Sequence, residues 1–333
     1  MIVIKLDSSK AKKFAKLIDT TKGKYKSPSK KLQEWIDNET ILNPLSLNIQ
    51  IARDIKRDLK KILTETPKGL ESIINAFESK GHQDKIYDLT TKKLTPFGEQ
   101  LKVIFNYKGF RESKKAIWFA DSIKMKSCTT CNTQYTLKTS QVTGVKLLFH
   151  LDHYFPKSVY PYLSLSYYNL IPCCASCNMS KSNKPFTLIQ NIHPYIESFH
   201  NIAKFKLDKA SLADFLIDPN KNEDKIKYSV ESRAKYFGNT VFETKLENYL
   251  REFRIHEQYE QFKDVAAETY LRFRYYHKKR RNEVRDFFHE SGINIDDELF
   301  RRFVLGNYHQ DKDLLKRPLA KFMKDIGEDL NMF

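Results

Sequence analysis

The chain has 333 residues and a formal net charge of +17 at pH 7, with 41% hydrophobic, 30% charged and 13% aromatic residues. That apolar and aromatic content excludes a disordered chain, and the scarcity of Gly (10) and Pro (11) excludes long linkers and argues against an all-β architecture. A positive excess this large draws polyanions, nucleic acid first among them, and no apolar run reaches the roughly 18 residues that a membrane span needs.

Residues 1–120 read as helices joined by short loops. Ile2 to Leu6 predicts a short opening strand; its apolar run breaks at Lys5, too short for a signal-peptide core, so a cytoplasmic protein without a membrane segment is expected. Ten lysines between positions 5 and 31 face only Asp7 and Asp19, a run that suits either a phosphate backbone or a solvated face. Apolar residues at helical spacing predict helices over 47–65 (Leu47, Ile51, Ile55, Leu59, Ile62) and 68–80 (Leu70, Ile73, Ile74, Phe77). No catalytic cluster is visible in this region.

Residues 121–190 differ in character, with cysteines, prolines and turn residues concentrated together. Residues 145–155 have β-type composition after a turn at Gly144, and a short helix is expected over 178–184, stopped near Pro185. Residues 191–333 again predict helices, with amphipathic spacing in 241–290. The segment 270–290 interleaves seven Arg or Lys with aromatic residues, a composition that suits nucleic-acid contact through Lys278, Lys279, Arg280 and Arg281, or equally a packed face with a solvated rim.

The chemistry concentrates in the middle region. Cys128-x-x-Cys131 and Cys174-x-x-Cys177 are separated by 42 residues. Each pair can place two thiolates on one ion, and two pairs close a tetrahedral site, which predicts a structural Zn²⁺ in a reducing compartment. Cys173 is the odd thiol and is expected to be buried. Between the pairs lie Asp152, His153 and Asn169, and Asn178 follows Cys177 directly. A neutral histidine can take a proton near pH 7, and carboxylate and amide oxygens suit Mg²⁺, with Mn²⁺ as the alternative. Adjacent strand residues point to opposite faces, so Asp152 and His153 can serve one site only if the strand ends or bends there; Pro156 favours an early end.

The order Asp152-His153-x-x-Pro156, Asn169-Leu170, Cys174-x-x-Cys177-Asn178-x-x-Lys181 resembles the HNH endonuclease motif, in its zinc-bearing subgroup, over residues 128 to about 184. The resemblance implies a mainly α protein with a small α+β core: a ββα-metal module at 121–190, stapled by Cys128, Cys131, Cys174 and Cys177, between helical regions at 1–120 and 191–333. It implies hydrolysis of DNA phosphodiester bonds to 5′-phosphate and 3′-hydroxyl ends, RNA remaining an alternative. Asp152 and Asn178 would hold the catalytic ion, with Asn178 at the position often occupied by His. His153 would be the general base and Asn169 would orient it through its loop. Lys184 would approach phosphate, Lys181 would do so or equally be a solvated lysine, and His150 would flank the metal or merely share the strand face of Asp152. The helical flanks resemble Septu-type and retron-associated anti-phage nucleases, which implies an ATPase partner; a standalone restriction-type or mobile-element nuclease is the second expectation. A non-catalytic zinc module that binds nucleic acid is the reading from a different class. His193 and His200 are expected to be structural.

Overall fold

The structure, a computed structural model, describes residues 2–23, 25–141 and 144–332. It is mainly helical, with short two-stranded antiparallel ladders. The chain forms two compact units: one from residues 4–124 and 138–196, the other from 125–137 and 197–333 with the first residues of the chain. The segment expected as a separate module divides, and 138–196 packs with the N-terminal helices.

The N-terminal unit opens with α1 (Ser8–Ile18), α2 (Pro28–Leu42), α3 (Leu47–Arg57), α4 (Leu59–Thr64) and α5 (Pro67–Ser79). The hairpin strands β1 (Tyr87–Asp88) and β2 (Lys93–Leu94) follow, then α6 (Pro96–Phe105), α7 (Tyr107–Arg111) and α8 (Lys114–Ile123). Ser27, Thr66 and Thr95 each cap a helix whose first residue is Pro, so a hydroxyl satisfies a free N–H while proline presets the first turn. The predicted run 47–65 breaks at Asp58 into α3 and α4. Ile2 to Leu6 forms no strand: the Ile4 N–H donates to the Pro194 carbonyl at 2.7 Å, but no ladder develops. The lysines of α1 lie outside its buried face of Ala11, Phe14, Ala15 and Ile18. Phe14 meets Phe110, Phe119 and Tyr167 at ring-centroid distances of 5.4–5.7 Å, an aromatic core that joins α1, α7 and α8 to the segment before β6.

The same unit holds β3 (Lys138–Gln141) paired with β4 (Gly144–Leu147), and β5 (His150–His153) paired antiparallel with β6 (Leu170–Cys173). The register of the second pair runs from His150 opposite Cys173 to His153 opposite Leu170. Helix α9 (Ala175–Lys181) follows β6 at once and ends where Ser182 takes φ 51°, earlier than the expected stop at Pro185. Strand, strand and helix thus occur in the order β5, β6, α9.

In the C-terminal unit, α10 (Phe199–Ile202) precedes β7 (Ala203–Leu207), which pairs with β8 (Tyr228–Ser232) across α11 (Lys209–Ile217). Then come α12 (Thr240–Glu252), α13 (Ile255–Tyr259), α14 (Lys263–Tyr275), α15 (Lys278–Glu290), α16 (Asp297–Leu305) and α17 (Ala320–Asp329). Phe205, Tyr259 and Phe322 stack into its core at 4.5–5.0 Å. Among the described residues, no helix is long and apolar enough to cross a membrane.

Candidate active site and metal centre

The knuckle at Cys128–Cys131 is held by polar contacts within the C-terminal unit. The Tyr249 and Tyr259 hydroxyls donate to the carbonyls of Thr130 (2.5 Å) and Cys131 (2.7 Å). Buried Asn132, at φ 58°, donates to Ser127 Oγ and the Leu314 carbonyl and accepts the Lys321 N–H. The Thr133 N–H and hydroxyl both donate to Cys131 Sγ, as expected around a thiolate. In the second knuckle Cys174 is the N-cap of α9, and its Sγ accepts the Cys177 N–H at 3.4 Å.

The sulfurs of Cys128, Cys131, Cys174 and Cys177 are buried and lie within 4.8 Å of one another. A tetrahedron with Zn–S bonds of ~2.3 Å has sulfurs ~3.8 Å apart, so this four-thiol cluster fits a metal ion such as zinc. Cys173 is buried, and the cluster uses Cys174 in its place.

Asp152, His153 and Asn178 line one open pocket of about 550 Å³ in the N-terminal unit, together with His150, Tyr107, Arg111 and Lys157. Strand β5 ends at His153, and this ending lets neighbouring residues of opposite strand faces reach one space. Asn178 comes from α9, one residue beyond the buried Cys177. Helical turn separates the two by about 100°, so one short helix carries a thiol on one side and an amide on the other.

His153 is 4% exposed, and its Nε2 donates to the Ser164 carbonyl at 3.0 Å. A carbonyl only accepts, so the proton sits on Nε2 and the lone pair on Nδ1. Burial holds the ring well below its ordinary value, aided by the charge of Lys157. The Tyr107 ring packs edge-on at 4.4 Å, and its hydroxyl donates to the Leu151 carbonyl at 2.8 Å. Burial pushes that phenol up, so it stays a donor.

Asn169 is fully buried, and its side-chain hydrogen bonds go to the backbone of Phe155 and Leu163 rather than to His153. Its amide donates to the carbonyls of Phe155 (3.0 Å) and Leu163 (3.1 Å), and its oxygen accepts the Phe155 N–H (2.7 Å). It ties the end of β5 to the segment that offers Ser164 to the histidine.

Lys181 corrects the expectation of a phosphate contact. It is 1% exposed, and its ammonium donates to the His153 carbonyl at 2.7 Å and pairs with the Asp152 carboxylate at 3.4 Å. Four residues after Cys177, it shares the inward face of α9. Burial raises the Asp152 carboxyl, and the Lys181 ammonium pulls it back down. Lys184 is exposed, as are Lys278, Lys279 and Arg280; Arg281 is half-buried and donates to the Met332 carbonyl. These basic residues of α15 belong to the C-terminal unit, and none lines the pocket. His193 is fully buried, and His200 is buried beside Asp311 at 3.0 Å.

Tyr107 and Arg111 come from α7, a region without any visible catalytic motif, and Arg111 also bonds the Phe149 carbonyl. No spacing signal marks a lone Tyr or Arg as a pocket wall; only packing against β5 does so. The pocket lining offers one carboxylate, Asp152, and one side-chain amide, Asn178, oxygen donors of the kind that could hold Mg²⁺. Compared with known proteins, the chain matches no protein-family model, no curated protein and no solved structure.

Proposed function

We propose that the chain is a metal-dependent endonuclease of the HNH type that hydrolyses DNA phosphodiester bonds. The observation that carries this reading is the convergence of Asp152, His153 and Asn178 on one open pocket, delivered by strand, strand and helix in the order β5, β6, α9. His153, kept neutral by burial with its Nε2 proton committed to Ser164, takes a proton from the attacking water at Nδ1. Tyr107 fixes the ring edge-on, and Asn169 fixes the backbone that carries Ser164. Asp152 and Asn178 would hold a divalent cation, Mg²⁺ or Mn²⁺, which when bound clamps the scissile phosphate and offsets charge on the departing oxygen. Arg111 and Lys157 add positive charge on the wall where a phosphate would enter. Zn²⁺ on the four cysteines has a structural role, since four protein ligands leave no position open for substrate. The basic composition supports a nucleic-acid substrate. Action as an anti-phage effector beside an ATPase partner rests on the resemblance of the flanks, and an ATPase gene adjoining this one is its test.

The decisive experiment is a plasmid nicking assay with Mg²⁺. His153→Ala is expected to lower the cleavage rate by about 10²–10⁴-fold while the chain stays folded and keeps its zinc, with an unfolding midpoint lowered by loss of the buried ring. Cleavage by this variant at the wild-type rate would sink the assignment.

A further inference from the structure

A second cavity, of about 820 Å³, lies beside the pocket in the N-terminal unit, and the two share Tyr107, Lys157 and Asn183 as wall residues. Lysine is the commonest residue of its lining. Lys92 and Lys93 come from the β1–β2 hairpin, Lys102 from α6, Lys108 from α7 and Lys31 from α2. The carboxylate among the lining residues is Glu99, which pairs with Lys102 at 2.9 Å. Lys92, Lys93 and Lys108 are exposed and, among the described residues, make no ion pair.

Several elements thus bring like charge to one concave surface, an arrangement that repels itself until a polyanion fills it. The hairpin turn is built to present its share. Asp88 accepts the Thr90 and Thr91 N–H groups and the Thr91 hydroxyl, which fixes the loop, and Lys92 takes φ 54° at its far side. Ser164 links the cavities chemically: it lines the larger one, and its carbonyl holds the His153 ring that lines the smaller.

We propose that this lysine-lined cavity is the groove that carries the polynucleotide chain into the hydrolytic pocket, its ammonium groups gripping the phosphates that flank the scissile one. The proposal rests on the nuclease reading and adds to it the surface that binds substrate, separate from the basic helix α15. A lysine that binds a phosphate releases a counterion, so neutralising one such lysine lowers the slope of log affinity against log salt by about 0.7–0.9.

The test is anisotropy of a labelled DNA oligonucleotide with the full chain in the His153→Ala background, as a function of salt. The triple variant Lys92→Gln, Lys93→Gln, Lys108→Gln is compared with Lys12→Gln, Lys13→Gln, Lys16→Gln, which removes the same charge from the exposed face of α1. The groove variant is expected to bind roughly tenfold more weakly near 0.15 M salt, with a slope smaller by about 2–3; the α1 variant is expected to stay within about twofold of its parent. Equal weakening in both variants, or in neither, would overturn the groove while leaving the nuclease reading intact. A wild type that neither binds nor cleaves DNA or RNA overturns both.

Discussion

Lys181 carries the buried charge that ties α9 to the end of β5. In the motif it reads as a basic residue near phosphate; in the fold its ammonium is buried between the His153 carbonyl and the Asp152 carboxylate. Removing one partner of a buried pair leaves the other uncompensated, at about 3–5 kcal/mol, reduced here because Asp152 keeps some exposure to solvent. Lys181→Met is therefore expected to lower stability by about 2–3 kcal/mol and to impair cleavage, read by urea unfolding and the nicking assay; stability within ~0.5 kcal/mol of wild type would show that the ammonium holds nothing. His193 makes a separate prediction about acid. It is fully buried, its Nδ1 accepts the Tyr195 N–H at 3.2 Å, and burial lowers it from 6.5 to about 3. The unfolded chain then binds the proton first, so the stability contributed by the neutral ring is complete above about 6.5 and is lost as pH falls towards about 3. Between pH 6.5 and 5 the loss is roughly 2 kcal/mol at 1.36 kcal/mol per unit, and His193→Gln should remove most of that slope in pH-dependent unfolding.

At the scale of elements, the seven residues of α9 do more than their length suggests. Cys174 caps the helix, Cys177 and Lys181 face inward, and Asn178 turns into the pocket. Disruption of the four-thiol cluster should therefore disturb Asn178 beside it, the ligand proposed for a second ion. Wild-type chain is expected to carry one zinc by elemental analysis, and Cys174→Ser to carry none and to unfold. Cys173→Ser, outside the cluster, should retain its zinc; a metal-free Cys173→Ser with a zinc-loaded Cys174→Ser would reverse the ligand assignment. The four cysteines were legible because CxxC spacing is a local property of the chain, and 145–155 was legible as β-type for the same reason. Its division into β4 and β5, with an end at His153, depends on the partner strand β6. The division of 270–290 into α14 and α15 at Tyr276–His277 likewise lay outside what periodicity shows.

For the whole molecule, a net charge of +17 makes polyanion binding a global tendency, and placement decides which charges count. Helix α15 has no buried residue, so its basic stretch is a solvated surface rather than part of a core. Neutralising Lys278, Lys279 and Arg280 to Gln is expected to shift stability by no more than about 0.5 kcal/mol per site, checked by thermal unfolding; a larger loss would mean that these charges support the fold. Composition and local periodicity by themselves determined a mainly helical chain, the four thiols of a metal cluster and a short segment rich in candidate ligands. These follow from neighbouring residues, because helix spacing and CxxC turns act over a few positions. Only the tertiary structure decided that Asp152, His153 and Asn178 share a pocket with Tyr107 and Arg111, that Lys181 is buried, and that 138–196 packs with the N-terminal helices. The physical reason is burial. A small strand-strand-helix segment cannot cover its own apolar faces, so it takes α1, α7 and α8 as its core, and packing between residues distant in the chain leaves no periodic mark in the sequence.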